Sequence, residues 1–227
     1  MEERPGSRKR IENHIIMDAE QITLTIATGV SILIFLPALP RFVNLFSQLW
    51  SSLFRTGTCI RIEDSRKVQR SRDIVFWTSV PGLMTIVWHC GLYAPEWLEA
   101  LPPQFHLPCV AGVMLGYFLL CITLGHIVLQ RRFRTKVYEA ATGCPKNFWI
   151  LLAFTLFVAT IPLKSSGIGN NVSVIVMYCI TGLLYFIFLI RRFQIFASDS
   201  NYLTAILYLC ALEILPTALF VTSALIF

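Results

Sequence analysis

Charged side chains are scarce in this chain. Only 14% of its 227 residues are Asp, Glu, Lys or Arg, against roughly 25% in an ordinary soluble domain. Enzyme signatures are lacking too. There is no glycine-rich phosphate loop, no Gly-x-Ser-x-Gly, no His-Glu-x-x-His and no pair of intramembrane aspartates. The longest polar segment, 55–73, is too short to fold as a catalytic domain. The seven cysteines form no Cys-x-x-Cys pair and no Cys/His ligand spacing. His89 and His126 fall at opposite depths of their apolar runs, so they cannot share one haem or metal ion. No catalytic constellation, metal or cofactor is expected.

Apolar residues are abundant instead, at 56% of the chain. They gather into runs of membrane-spanning length, about 20 residues each. Six spans are expected, at about 22–40, 74–94, 108–130, 148–163, 171–190 and 201–227. Asp73, Pro108, Asn147 and Asn201 supply helix-entry chemistry at four of the starts. The expected fold class is therefore all-α, a polytopic membrane helix bundle of six transmembrane helices with one amphipathic interfacial helix. Residues 1–21 read as a polar N-terminal tail without a cleavable leader, and 22–227 as a single bundle domain.

The interfacial helix is expected at about 41–55. There Phe42, Leu45, Phe46, Leu49, Leu53 and Phe54 recur at helical spacing, with Arg41, Asn44, Ser47, Gln48 and Arg55 on the other face.

The net charge of +6 would suit nucleic acid only if it formed a basic face on a folded domain. The basic residues lie in short clusters between apolar runs, so the expected partners are the lipid bilayer and other membrane proteins. The segments 41–73, 131–147 and 191–200 together hold 14 of the 19 Lys and Arg residues. The positive-inside rule then places those segments in the cytoplasm and both termini outside, in the periplasm of a Gram-negative cell. The four basic residues of the tail pull the other way.

Smaller signals accompany this layout. Leu129-Gln130-Arg131-Arg132-Phe133 and Leu189-Ile190-Arg191-Arg192-Phe193 each close a span that is followed by a proline-containing one, with Pro162 and Pro216. Two parallel hairpin repeats are one reading, and the positive-inside rule alone is the other. Cys90 and Cys109 both fall near outer helix ends, and whether they are bridged is open. Gly112 and Gly116 form a Gly-x-x-x-Gly pair, expected to pack inside the bundle in preference to a dimer face.

The outlier is Glu213, about 18 Å into the last span at 1.5 Å per residue. An acidic residue at that depth costs roughly 2.5–3.5 kcal/mol to insert, so it should face the bundle interior and find a partner. No Lys, Arg or Asp lies within the six spans to serve as that partner. Pro216 leaves the Leu212 carbonyl without its helix donor. Depth counting sets Tyr178 level with Glu213 and Tyr185 level with Tyr208. The candidate polar site is therefore Glu213, Pro216, Tyr178 and Tyr208, with a Tyr178–Glu213 hydrogen bond.

The stretch Tyr202 to Pro216 resembles a bacterial membrane family, domain of unknown function 4271, typical of Bacteroidota. The specific part is Leu209, Cys210, Leu212, Glu213, Ile214, Leu215 and Pro216. The layout before it is similar as well, a basic loop and then a helix ending Ile161-Pro162-Leu163. The resemblance implies an inner-membrane protein and no particular activity. Three functions remain in order of expectation: a non-catalytic subunit or scaffold of a cell-envelope assembly, a small proton-linked carrier using Glu213, and a membrane-embedded enzyme.

Overall fold

The structure, a computed structural model, describes residues 22–54, 65–102, 105–129, 135–165 and 170–226. Among these residues there is no strand, and helices make up nearly all of them. Helix α1 (22–35) runs through a 3-10 turn at Leu36–Ala38 into α2 (Leu39–Phe54). Then follow α3 (Arg66–His89), a single turn α4 (Glu96–Glu99), α5 (His106–Leu129), α6 (Thr135–Ser165) and α7 (Asn170–Ala197). The last helix has three parts: α8 (Tyr202–Leu209), a π-helical turn (Cys210–Ile214) and α9 (Leu215–Ile226).

Five helices are long and apolar enough to cross a membrane: Ile22–Ser52, His106–Val128, Val137–Leu163, Asn171–Ala197 and Tyr202–Ala224. The chain is thus a multi-pass helical membrane bundle. Helix α3, the second expected span, is long but less apolar and is not among the five. It is packed by α2, α5 and α6, which explains the tolerance of polar residues. The hydroxyls of Thr78, Ser79 and Thr85 donate to the carbonyls of Ile74, Phe76 and Pro81, so the helix satisfies them itself.

Helix α6 is the hub. It touches α2, α3, α5 and α7, and 39% of its apolar window is buried, against 11–22% for the other four spanning helices. It also starts at Thr135, 13 residues before the expected 148. Gly143 and Pro145 looked like a loop, yet both sit inside the helix. Ala140, Ala141, Cys144 and Asn147 are buried there, and tertiary packing outweighs the poor helix propensity of Gly143 and Pro145.

The expected interfacial helix also differs. Ile22–Ser52 is one continuous helix of 31 residues, about 46 Å long at 1.5 Å per residue. The stripe of α2 turns inward, not toward lipid: Phe42, Leu45 and Leu49 are buried. The Phe42 and Phe46 rings meet Phe154 of α6 at 5.1 and 5.2 Å. Pro37 and Pro40 do not break the helix, because the 3-10 turn takes up their missing donors and the Leu39 N–H bonds the Leu36 carbonyl.

Gly112 and Gly116 face open space, with nothing within 4 Å of where a Cβ would sit, so the glycine pair does not pack inside the bundle. Cys90 and Cys109 are free thiols. The N-terminal tail, Arg131-Arg132-Phe133 and residues 166–169 lie outside the described residues.

Replacing Phe42 by Ala should lower the stability of the detergent-solubilised protein by about 3 kcal/mol. Val43, the next residue along, is 64% exposed, and Val43→Ala should leave thermal unfolding unchanged. Equal effects of the two changes would contradict the inward-facing stripe.

Candidate functional site

The site begins at two prolines. Pro145 of α6 has no N–H, so the carbonyl of Ala141 four residues earlier loses its helix donor. Pro216 removes a donor in the last helix in the same way, and the chain answers by widening one turn. The Leu215 N–H bonds the Cys210 carbonyl five residues back, which makes Cys210–Ile214 a π-helical turn. Leu212, Glu213 and Pro216 all lie buried around that turn.

Arg192 joins the two places. It lies inside α7, which runs to Ala197, and its side chain is 4% exposed. One terminal nitrogen, Nη1, donates to the Ala141 carbonyl on α6. The other, Nη2, meets the Glu213 carboxylate at 2.6 Å, and the Glu213 side chain is 7% exposed. The guanidinium carbon lies 5.8 Å from the ring centre of Phe188 and 5.2 Å from that of Phe196, one turn to either side on α7. A single cation thus ties the start of α6, the end of α7 and the middle of the last helix.

Hydroxyls continue from the pair. The Tyr185 OH donates to the backbone carbonyl of Glu213 at 3.2 Å and to Thr217 Oγ1 at 3.0 Å. Tyr117 of α5 shares a hydrogen bond with the same Thr217 oxygen, also at 3.0 Å. Near the far end of α9, Ser223 and Tyr93 are hydrogen-bonded at 3.2 Å. The Phe220 ring lies between these groups, 5.1 Å from the ring of Tyr117 and 5.0 Å from that of Tyr93.

The expected residues are only partly brought together. Glu213 and Pro216 share the π turn, as the sequence placed them. Tyr178 does not reach Glu213; its OH donates to the Leu92 carbonyl at 3.2 Å, at the opposite end of α7 from Arg192. The depth count ended the fifth span at 190, whereas α7 ends at Ala197. That offset of seven residues is the offset from Tyr178 to Tyr185, the tyrosine that does reach Glu213. Tyr208 packs its ring 6.1 Å from Phe196, beside the aromatic residues that hold Arg192.

Arg192 is the residue that sequence reasoning missed, because Arg191-Arg192 resembled a helix-closing basic pair. Its position four residues from both Phe188 and Phe196 was the signal. A second charged cluster stands at the same end: Asp73 of α3 accepts from Lys146 of α6 at 2.9 Å and from Arg72 at 3.2 Å. His126 of α5 pairs with the Tyr138 hydroxyl at 2.8 Å. Comparison with known proteins gives no match, whether to a family model, a curated protein or a solved structure.

Removing one member of a buried ion pair leaves the other charge uncompensated, at a cost of about 3–5 kcal/mol. Arg192→Met alone and Glu213→Ala alone should each destabilise the protein by that order in detergent unfolding. The double variant should be more stable than either, because no buried charge remains. Additive losses would show that the two residues are not coupled.

Proposed function

We propose that this chain is a non-catalytic membrane subunit or scaffold of a cell-envelope assembly. It sits in a bacterial inner membrane; with α3 crossing as a sixth span, packed by its neighbours, both termini lie on the periplasmic side. The observation that supports the reading is the enclosure of Glu213. A carboxylate that carries protons or cations needs access to water and must release its ion. Here the carboxylate is buried between helices and bound to a guanidinium that is itself fixed to a third helix. Such a pair holds helices in register, the best-attested use of buried ionic groups. Arg72, Lys146, Arg191 and Arg192 lie toward the Arg192 end of the bundle, and basic residues at span ends favour the cytoplasmic side.

A proton-linked carrier is the second reading. The observation favouring it is the trio Tyr185, Thr217 and Tyr117, whose hydroxyls adjoin Glu213. The Tyr185 hydroxyl, however, meets the backbone carbonyl of Glu213, and the carboxylate faces Arg192. The trio therefore reads as a cap on the acceptor beside Pro216.

The double variant Arg192→Met with Glu213→Gln, made in the native host, separates the two readings. It keeps the shape of the joint and removes both charges. On the scaffold reading, cells hold near-normal amounts of the protein, and partners co-purify with it in mild detergent as with the unaltered chain. If abundance holds while the cells show the full deletion phenotype, an ionising carboxyl is required and the carrier reading takes over.

A further inference from the structure

Away from Glu213, one face of α3 is unmatched in charge among the described residues. Arg66, Arg70, Ile74 and Trp77 line a groove of about 590 Å³ on that helix. They succeed one another at intervals of three to four residues, so they form one stripe along about 18 Å of helix surface. The stripe changes character along its length. It begins with the exposed guanidiniums of Arg66 and Arg70 and ends at Trp77, which is 51% exposed.

Neither Arg66 nor Arg70 makes a side-chain ion pair or hydrogen bond among the described residues. Asp73, the one acidic residue among the described residues that line the groove, accepts from Arg72 and Lys146 instead. Lys67 adds a third exposed cation in the same turn, and the first turn of α3 holds no acidic residue. Cations at a helix start oppose the helix dipole, so among the described residues the arrangement lacks a compensating anion.

We propose that this stripe binds an anionic glycerophospholipid, with the phosphate between Arg66 and Arg70 and an acyl chain along Ile74 and Trp77. Three features of the stripe select a lipid over a free anion. The cations are followed within one turn by apolar surface, which a phosphate ion cannot use. Tryptophan is the side chain enriched at the level where headgroup meets hydrocarbon. The stripe lies at the basic end of the bundle, where a leaflet of anionic lipid attracts juxtamembrane basic residues. The site is separate from the Arg192–Glu213 joint, so it stands or falls apart from the scaffold reading.

The test is a thermal-unfolding titration of the full-length protein in neutral detergent. The additives are phosphatidylglycerol, phosphatidylcholine and inorganic phosphate at matched concentrations. Phosphatidylglycerol should raise the melting temperature in a saturable way that weakens with added salt, and the other two should not. Arg66→Gln with Arg70→Gln should weaken the apparent affinity for phosphatidylglycerol about thirtyfold, as expected for two basic residues at a lipid surface. Both side chains are exposed, so folding in detergent should be retained.

A second readout does not depend on that variant. Brominated phosphatidylglycerol quenches nearby tryptophans, and Trp77→Phe should remove the largest share of the quenching among the five tryptophans. The proposal is overturned if the Gln variant responds like the unaltered protein or if inorganic phosphate alone reproduces the shift. Undiminished quenching after Trp77→Phe overturns it as well.

Discussion

The arrangement turns on one guanidinium with three obligations. Arg192 lies in an apolar helix, where an uncompensated charge is costly, and only partners on other helices relieve that cost. It finds a carboxylate on the last helix and a carbonyl on α6, with aromatic rings on its own helix above and below. Apolar contacts between helices are weakly directional in lipid, because the tails are as apolar as the side chains. Register must come from groups that tolerate few alternatives. A cation that needs an acceptor on each of two neighbouring helices fixes all three at one level.

Proline explains where those acceptors are. In a soluble helix a carbonyl orphaned by proline can turn to water. Within a bilayer it needs a donor from the protein. Pro145 exposes the Ala141 carbonyl, which Arg192 meets; beside Pro216 the Glu213 carbonyl accepts from Tyr185. The expectation was that Leu212 would be left open after Pro216. The π turn redistributes the bonds around that point, and the side-chain donor lands one residue further on. The prolines act here as local openings that another helix fills, which is why α6 and the last helix can carry them in their interiors.

Much of the fold was legible because membrane spans announce themselves by length and composition. The helix class, the bundle, and five of the six spans follow from runs of apolar residues. The boundaries were less legible wherever a helix continued past the apolar run. Helix α6 extends back through Gly143-Cys144-Pro145 and α7 extends on through Arg191-Arg192, where neighbouring helices bury Gly143, Cys144 and Arg192. The same cause turned α2 inward: an amphipathic stripe fits a membrane surface or a protein core equally well, and only the presence of Phe154 decides. In the site, Glu213 and Pro216 were visible as oddities in an apolar helix. Arg192 was not, since a basic pair at a span end has an ordinary explanation. Tyr178 in place of Tyr185 was a direct result of that boundary error.

Arg192 precedes Glu213 by 21 residues. A chain threaded into the bilayer from its N-terminus therefore delivers the cation first and the anion a full helix later. Until then the arginine can stretch toward the headgroups, which long basic side chains do readily. The Ala141 carbonyl is already present but is a weaker partner than a carboxylate. The carboxylate that completes the partners of the α7 end comes only with the π turn beside it. Completion of this bundle is in that sense a timed event, set by the order of two charges along the polypeptide.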